Sequence, residues 1–254
     1  VPPEMTNAGD PARTLALLWR DESAIPRKGP RRALTLDQVV DAAIAVADRA
    51  GVEALTIRRV AQTLDTSPMT IYTYVPGKAE LLDLMVDAIY TRMPRTVTDG
   101  APWRERLTAV AADNRALFRE HPWATAVSTQ RPGLGPGATA KYQHELSALD
   151  GLGLTDVGMD DCLTHLLLFV HAAARAAVDA EAVRKATALT DQQWWEAAGP
   201  VLARVLDPAA YPLATRVGGA AGEAHGSAHD PDHMYGFGLA RVLDGLAALI
   251  DPDA

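Results

Sequence analysis

One cysteine, Cys162, stands in this chain of 254 residues, and that scarcity excludes a disulfide framework and a cysteine-based zinc site. No stretch approaches the ~18 unbroken apolar residues of a membrane span. The first 30 residues hold Pro2, Glu4, Asp10, Pro11 and Arg13 and no long apolar core, so no secretory signal is expected there. Strand-like alternation and internal repeats are missing. Catalytic motifs are missing too: there is no Gly-x-Ser-x-Gly elbow and no His-Glu-x-x-His. Gly133, Gly135 and Gly137 are not followed by the Lys-Ser/Thr pair of a P-loop. Asp160 and Asp161 form a dense carboxylate pair, and neighbours on a helix point to different faces. The expectation is a cytoplasmic protein that is not an enzyme and uses no cofactor or metal.

What is present is ordinary in bulk and uneven in charge. Apolar residues make up 48% and charged residues 22%, as in globular proteins. The net charge of −8 argues against nucleic-acid binding over the whole surface. Residues 26–78, however, hold eight Lys/Arg against five Asp/Glu, a local +3 that leaves −11 for the rest. One basic segment on an acidic chain points to a polyanion met by that segment alone.

Helix signals crowd the same segment. Thr35 and Gln38 fit a capping box, with Val39, Val40, Ala43, Ile44 and Ala47 on one face behind them and Gly51 as a stop. Thr56 is a second N-cap, ahead of Val60, Ala61 and Leu64. Ser67 is a third, with Pro68 in the favoured first helical position. Pro76-Gly77 breaks the chain before a fourth helix with Leu81, Leu82, Met85 and Ile89. Further helices are expected near 102–120, 138–150, 156–184, 191–206 and 232–250, with residues 207–231 as a mobile excursion. Before all of these, Leu15, Leu17, Leu18 and Trp19 suit a short packing turn, and Pro26 to Arg32 a flexible basic arm.

Three short helices in about 40 residues, the last two separated by a tight turn, describe a helix-turn-helix. Its reader helix would present Thr70, Thr73 and Tyr74 outward over an inward Ile71. Hydroxyls reach base edges and phosphates, and the guanidinium of Arg58 suits a guanine or a phosphate. The stretch Leu55-Thr56-Ile57-Arg58-Arg59-Val60-Ala61, continuing through Thr70-Ile71-Tyr72-Thr73-Tyr74-Val75-Pro76-Gly77-Lys78-Ala79-Glu80-Leu81-Leu82, resembles the DNA-binding domain of the tetracycline repressor (TetR) family over residues 33–92. The resemblance implies a homodimer, an all-helical C-terminal domain with a small-molecule pocket, and release from a palindromic operator when the ligand binds. By position it implies DNA contacts at Arg58, Pro68, Met69, Thr70, Tyr72, Thr73, Tyr74 and Lys78. Arg27 and Lys28 of the basic arm are added as minor-groove candidates, against the alternative of a solvated tail. Tyr72 has an alternative of its own, as a packing residue. Lys78 opens a helix, where the dipole disfavours a cation, so a phosphate partner gives it a purpose. The turn carries Asp65 where the family has Gly, and Asp tolerates the left-handed backbone better than most residues.

The C-terminal part resembles the tetracycline repressor itself at Pro102-Trp103, Gln130-Arg131-Pro132 and Tyr142 through Leu154. The drug-binding chemistry does not follow. On a gapless count, the positions of two ligand histidines and one asparagine hold Pro94, Val127 and Val110, so magnesium-tetracycline is not the expected ligand. Candidate pocket residues are Trp103, Phe118, His121, Trp123, Tyr142, His165, Phe169, His171, Trp194 and Trp195, each also open to a core or dimer role. Leu163, Leu166, Leu167 and Val170, with Leu239, Val242, Leu243, Leu246 and Leu249, suit a four-helix bundle across a dimer axis. His225, His229 and His233 recur every fourth residue, but Gly226, Asp230 and Pro231 interrupt them, favouring a solvated loop over a metal site.

The expected fold is all-α. Residues 1–34 form an extension and basic arm, 35–92 a three-helix helix-turn-helix domain, and 93–254 a ligand-binding and dimerisation domain. The expected function is a homodimeric repressor that binds a DNA operator and is released by a small apolar or aromatic effector, with no membrane partner. Activation in place of repression stays open, and the rival is a small-molecule-sensing adaptor that binds no DNA.

Overall fold

The computed structural model describes residues 4–6, 8–21, 34–128, 131, 133–226 and 230–250. The basic arm with Arg27 and Lys28, and His229, lie outside the described residues. The expected all-α class holds: the described residues form eleven α-helices and two short 3-10 turns, with one two-stranded ribbon as the exception.

The head is built by local signals. Helix α2 (Leu36–Ala50) opens on the Thr35–Gln38 capping box, with both reciprocal hydrogen bonds made. Gly51 ends it at φ 80, a left-handed value that an L side chain resists. Helix α3 (Ile57–Thr63) is capped by Thr56, and α4 (Pro68–Tyr72) by Ser67 with Pro68 at its start. Between them Asp65 takes φ 48, so the turn keeps its left-handed residue without glycine. Helix α5 (Lys78–Arg92) then runs through the middle of the molecule, with Leu81, Leu82, Leu84, Met85, Val86 and Ile89 all buried.

A layer of longer helices carries the rest: α6 (Trp103–Glu120), α7 (Pro136–Ser147), α8 (Asp156–Thr187) and α11 (Pro231–Ile250). Helix α7 lies hard against α5. A Cβ added at Gly137 would collide with the Asp87 carbonyl and the Thr91 hydroxyl, so this glycine sets the approach. Asp87 also accepts a hydrogen bond from the Ala138 amide at 2.9 Å, which satisfies an orphan donor at the start of α7. Helices α8 and α11 cross closely at Gly238, which faces the Phe169 ring.

Two expectations need correction. Residues 207–231 are not simply a loop: α9 (Asp191–Val205) is followed by α10 (Pro212–His225). Pro212 sits at its first position, where proline fits a helix, and Gly226 ends it at φ 63. The N-terminal extension is also ordered where described. Residues Glu4–Met5 (β1) pair in parallel with Val127–Ser128 (β2), and Pro11–Leu18 form α1, capped by Asp10 and packed on α5 through Leu17 and Leu18.

Candidate DNA face and effector cavity

The head presents the residues that sequence assigned to DNA in three conditions. Arg58, Pro68, Met69, Tyr72 and Thr73 are exposed, with Met69 the most open at 72%. Thr70 is half-buried and its hydroxyl lies 3.0 Å from that of Ser67. Ile71 is fully buried beneath them and fixes α4 to the head. Tyr74 differs: its hydroxyl donates to the Leu34 carbonyl at 2.7 Å, so that group braces the entry of α2 and does not stand out as a free contact. Lys78 is half-buried, and its ammonium pairs with the Glu4 carboxylate at 2.6 Å. Arg59, exposed beside Arg58 on α3, is a cation the residue-by-residue assignment passed over.

Behind the head, a cavity of about 910 Å³ lies between α5, α6, α7, α8 and the β2 segment. Val86 and Tyr90 of α5 form part of its wall, so the element that follows the reader is also in contact with the cavity. Its polar side is a buried cluster. Lys141 bonds Glu145 at 2.7 and 2.8 Å, and Asn114 donates to the same carboxylate at 2.5 Å. Burial pulls the Lys141 ammonium down from its usual range, and the Glu145 charge opposes that pull. The Lys141 ammonium also lies 5.2 Å from the centre of the Tyr90 ring. Burial, with Glu145 and Asp87 adding, pushes the Tyr90 phenol up to about 12.

Across the cavity His171 sits edge-on to Phe118 at 5.3 Å. Its Nε2 is buried and makes no hydrogen bond. Burial first, and Arg175 second, lower its pKa, which keeps the imidazole neutral near pH 7. Tyr142 donates to Asp160 at 2.7 Å at another edge.

Of the ten candidate pocket residues, Phe118, Tyr142 and His171 line this cavity. The others have different employment. His121 and Trp123 both reach Asp48 of α2, at 2.8 and 2.7 Å, and so tie the head to the segment after α6. Phe169 stacks on Tyr235 at 5.9 Å, where α8 meets α11. Trp103 is half-buried at the start of α6 beneath the Arg104 guanidinium. His165 is exposed on α8, Trp194 is exposed on α9, and Trp195 packs against Gly222 of α10. The residues passed over are Tyr90, Asn114, Lys141 and Glu145. Their signal was a Lys-x-x-x-Glu pair on a helix with little other charge nearby.

A second concavity of about 770 Å³ lies among α6, α8, α9, α10 and α11. Its charges neutralise one another: Arg184 holds Glu181 and Asp191, and Arg115 and Arg119 hold Asp232. Among the described residues no cluster of three or more metal-ligating side chains occurs, and no helix is long and apolar enough to cross a membrane.

Two family models match the chain. That for bacterial regulatory proteins of the tetR family covers residues 39–85, and that for the tetracyclin repressor-like C-terminal domain covers residues 96–250. The transcriptional repressor DrrR1 of Streptomyces coeruleorubidus is 41% identical over 249 residues, 97% of this chain and 89% of that one. The structure of Streptomyces coelicolor ActR in complex with actinorhodin is 25% identical and superposes with a TM-score of 0.71, over 88% of this chain and 100% of that one. BioQ with its DNA operator is 28% identical, with a TM-score of 0.52 over 60% of this chain and 93% of that one.

Proposed function

The chain belongs to the TetR family of bacterial transcriptional regulators, and from that premise we propose a repressor whose effector acts through α5. It binds a palindromic operator as a homodimer and leaves it when a small molecule fills the 910 Å³ cavity. The observation that carries this reading is that α5 begins two residues after the Pro76 break that follows the reader and, two residues before its end, places Tyr90 in the cavity wall. An effector that displaces Val86, Tyr90 or the tightly seated α7 therefore moves α5, and α5 moves the reader. Only a difference in effector affinity between the DNA-fitting and DNA-misfitting states can drive this.

The cavity lining favours an uncharged effector. Lys141 and Glu145 already satisfy each other, Arg175 is held by Asp179, and Asp160 accepts from Tyr142. A charged guest would enter a mostly apolar wall with no counter-charge waiting. The group waiting for a partner is His171 Nε2. The reading is thus an apolar or aromatic neutral molecule with one hydroxyl or carbonyl at His171.

Two copies are joined by α8 and α11. Their inner faces are buried on each other, while Met234, Phe237 and Leu249 remain exposed for a second copy. Reader helices one operator turn apart would lie about 34–36 Å from each other. The protein works in the cytoplasm with its DNA, and no chemical step is assigned to it. The test is a mobility shift with DNA from upstream of its own gene. A discrete complex that resists competitor DNA supports the repressor. A folded dimer that ignores all such DNA but binds apolar dyes in the cavity would favour the adaptor.

A further inference from the structure

The N-terminal segment touches both functional regions at once. Glu4 and Met5 pair with Val127 and Ser128, which line the effector cavity. Thr6, buried, donates its hydroxyl to the Arg131 carbonyl at 2.8 Å and its amide to the Ser128 carbonyl at 3.1 Å. Further on, Trp19 donates its indole N–H to the carbonyl of Leu134, another cavity residue, at 2.7 Å. Between these anchors α1 packs on α5, and Arg20 pairs with Asp37 of α2. The segment thus fastens to the cavity rim at three carbonyls and to the head at two acid–base pairs, Glu4–Lys78 and Arg20–Asp37.

Glu4 is the member with consequences. Lys78 opens α5, where the helix dipole works against a cation, so the ammonium needs an anion. In the free protein that anion is Glu4, at 2.6 Å. On DNA it would be a phosphate. The ammonium has three donors, of which Glu4 takes one and the Val52 carbonyl, at 3.4 Å, another; a phosphate on the third would lie beside the Glu4 carboxylate, and the two anions repel each other, so one weakens the hold on the other.

We propose that Glu4 is a positioning residue that competes with an operator phosphate for Lys78, held in place by a strap, residues 4–6 and 8–20, anchored on the effector cavity. Resting on the repressor reading above, this gives the cavity a second route to the DNA face besides α5. Tightening of β1 on β2 secures Glu4 on Lys78 and weakens DNA binding. Loosening frees Lys78 and strengthens it.

The test is a double-mutant cycle of Glu4→Gln and Lys78→Gln in the full chain, on upstream DNA across a salt series. Glu4→Gln should tighten operator binding about threefold to tenfold. It should also steepen the salt dependence by about one phosphate contact per protomer, near 0.9 in slope each. In the Lys78→Gln background the gain should vanish. Thr6→Val, which removes an anchor and leaves Glu4 charged, should give part of the gain. An equal gain from Glu4→Gln in both backgrounds would overturn the proposal, since that is general charge removal. Weaker binding by Glu4→Gln would also overturn it. Acetic anhydride labelling of the free protein, read by mass spectrometry, is independent of DNA. Lys78 should label faster in Glu4→Gln, and an unchanged rate overturns the pairing. If neither protein shifts DNA but labelling responds, the pairing stands and the repressor reading fails.

Discussion

Helices α5 and α9 have the same length, 15 residues, and opposite circumstances. Nine residues of α5 are buried, including Glu80, Asp83 and Asp87, and none of α9 is. Helix α5 is gripped by α1, α2 and α7, so any change in its neighbours reaches it. Helix α9 exposes Trp194, Val201, Leu202 and Val205 and gains little from its own chain. The difference separates a helix that the chain encloses from one it leaves open, and the proposed mechanism sends the signal to DNA through the enclosed one.

That contrast can be broken by substitution. Leu81→Ala, at a fully buried site in α5, should cost about 2–5 kcal/mol in a denaturant titration. Gly137→Ala forces α7 off α5 and should cost about 1–3 kcal/mol. It should also change operator affinity in a protein that remains folded, because α5 is displaced; unchanged affinity would show that α5 position does not set the reader. Arg58→Ala should weaken operator binding by about 1–3 kcal/mol if the guanidinium reads a base, with no change in melting temperature. Melting of the protein by that change would make Arg58 structural. Val205→Ser, on the open face of α9 at 73% exposure, should alter folding stability by under about 0.5 kcal/mol. Dimer strength in sedimentation should be unchanged too, since the proposed interface is made by α8 and α11 and not by α9.

A smaller effect concerns pH. The folded-state pKa of His171 is lowered, so the unfolded chain binds the proton more readily. Its contribution is therefore neutral above the ordinary histidine value of about 6.5 and becomes destabilising as pH falls below it. His171→Phe should flatten that part of the pH–stability curve. An identical curve in the variant would place the acid sensitivity elsewhere.

Most of the head was legible because its signals act within a few residues. The Thr35–Gln38 box, the caps Thr56 and Ser67, and the left-handed turn at Asp65 each depend on neighbours in sequence. Helix α10 was not, because Pro212 and Gly218, Gly219 and Gly222 read as breakers; proline at the first position and glycines on an open helix are tolerated. The cavity was legible only in part. Aromatic residues were an uncertain guide to it, since Phe169 and Trp123 fill joints between helices, while the polar wall joins Asn114 of α6 to Glu145 of α7 across 31 residues. The strap was hidden for the same reason: Glu4 and Lys78 are 74 residues apart.

The most direct test of the central claim is a mobility-shift titration of the purified dimer with DNA from upstream of its own gene, at a fixed salt near 0.1 M. The account predicts a discrete complex that survives excess competitor DNA and is weakened by Arg58→Ala. A folded dimer that gives no such complex, or one indifferent to Arg58, would contradict it.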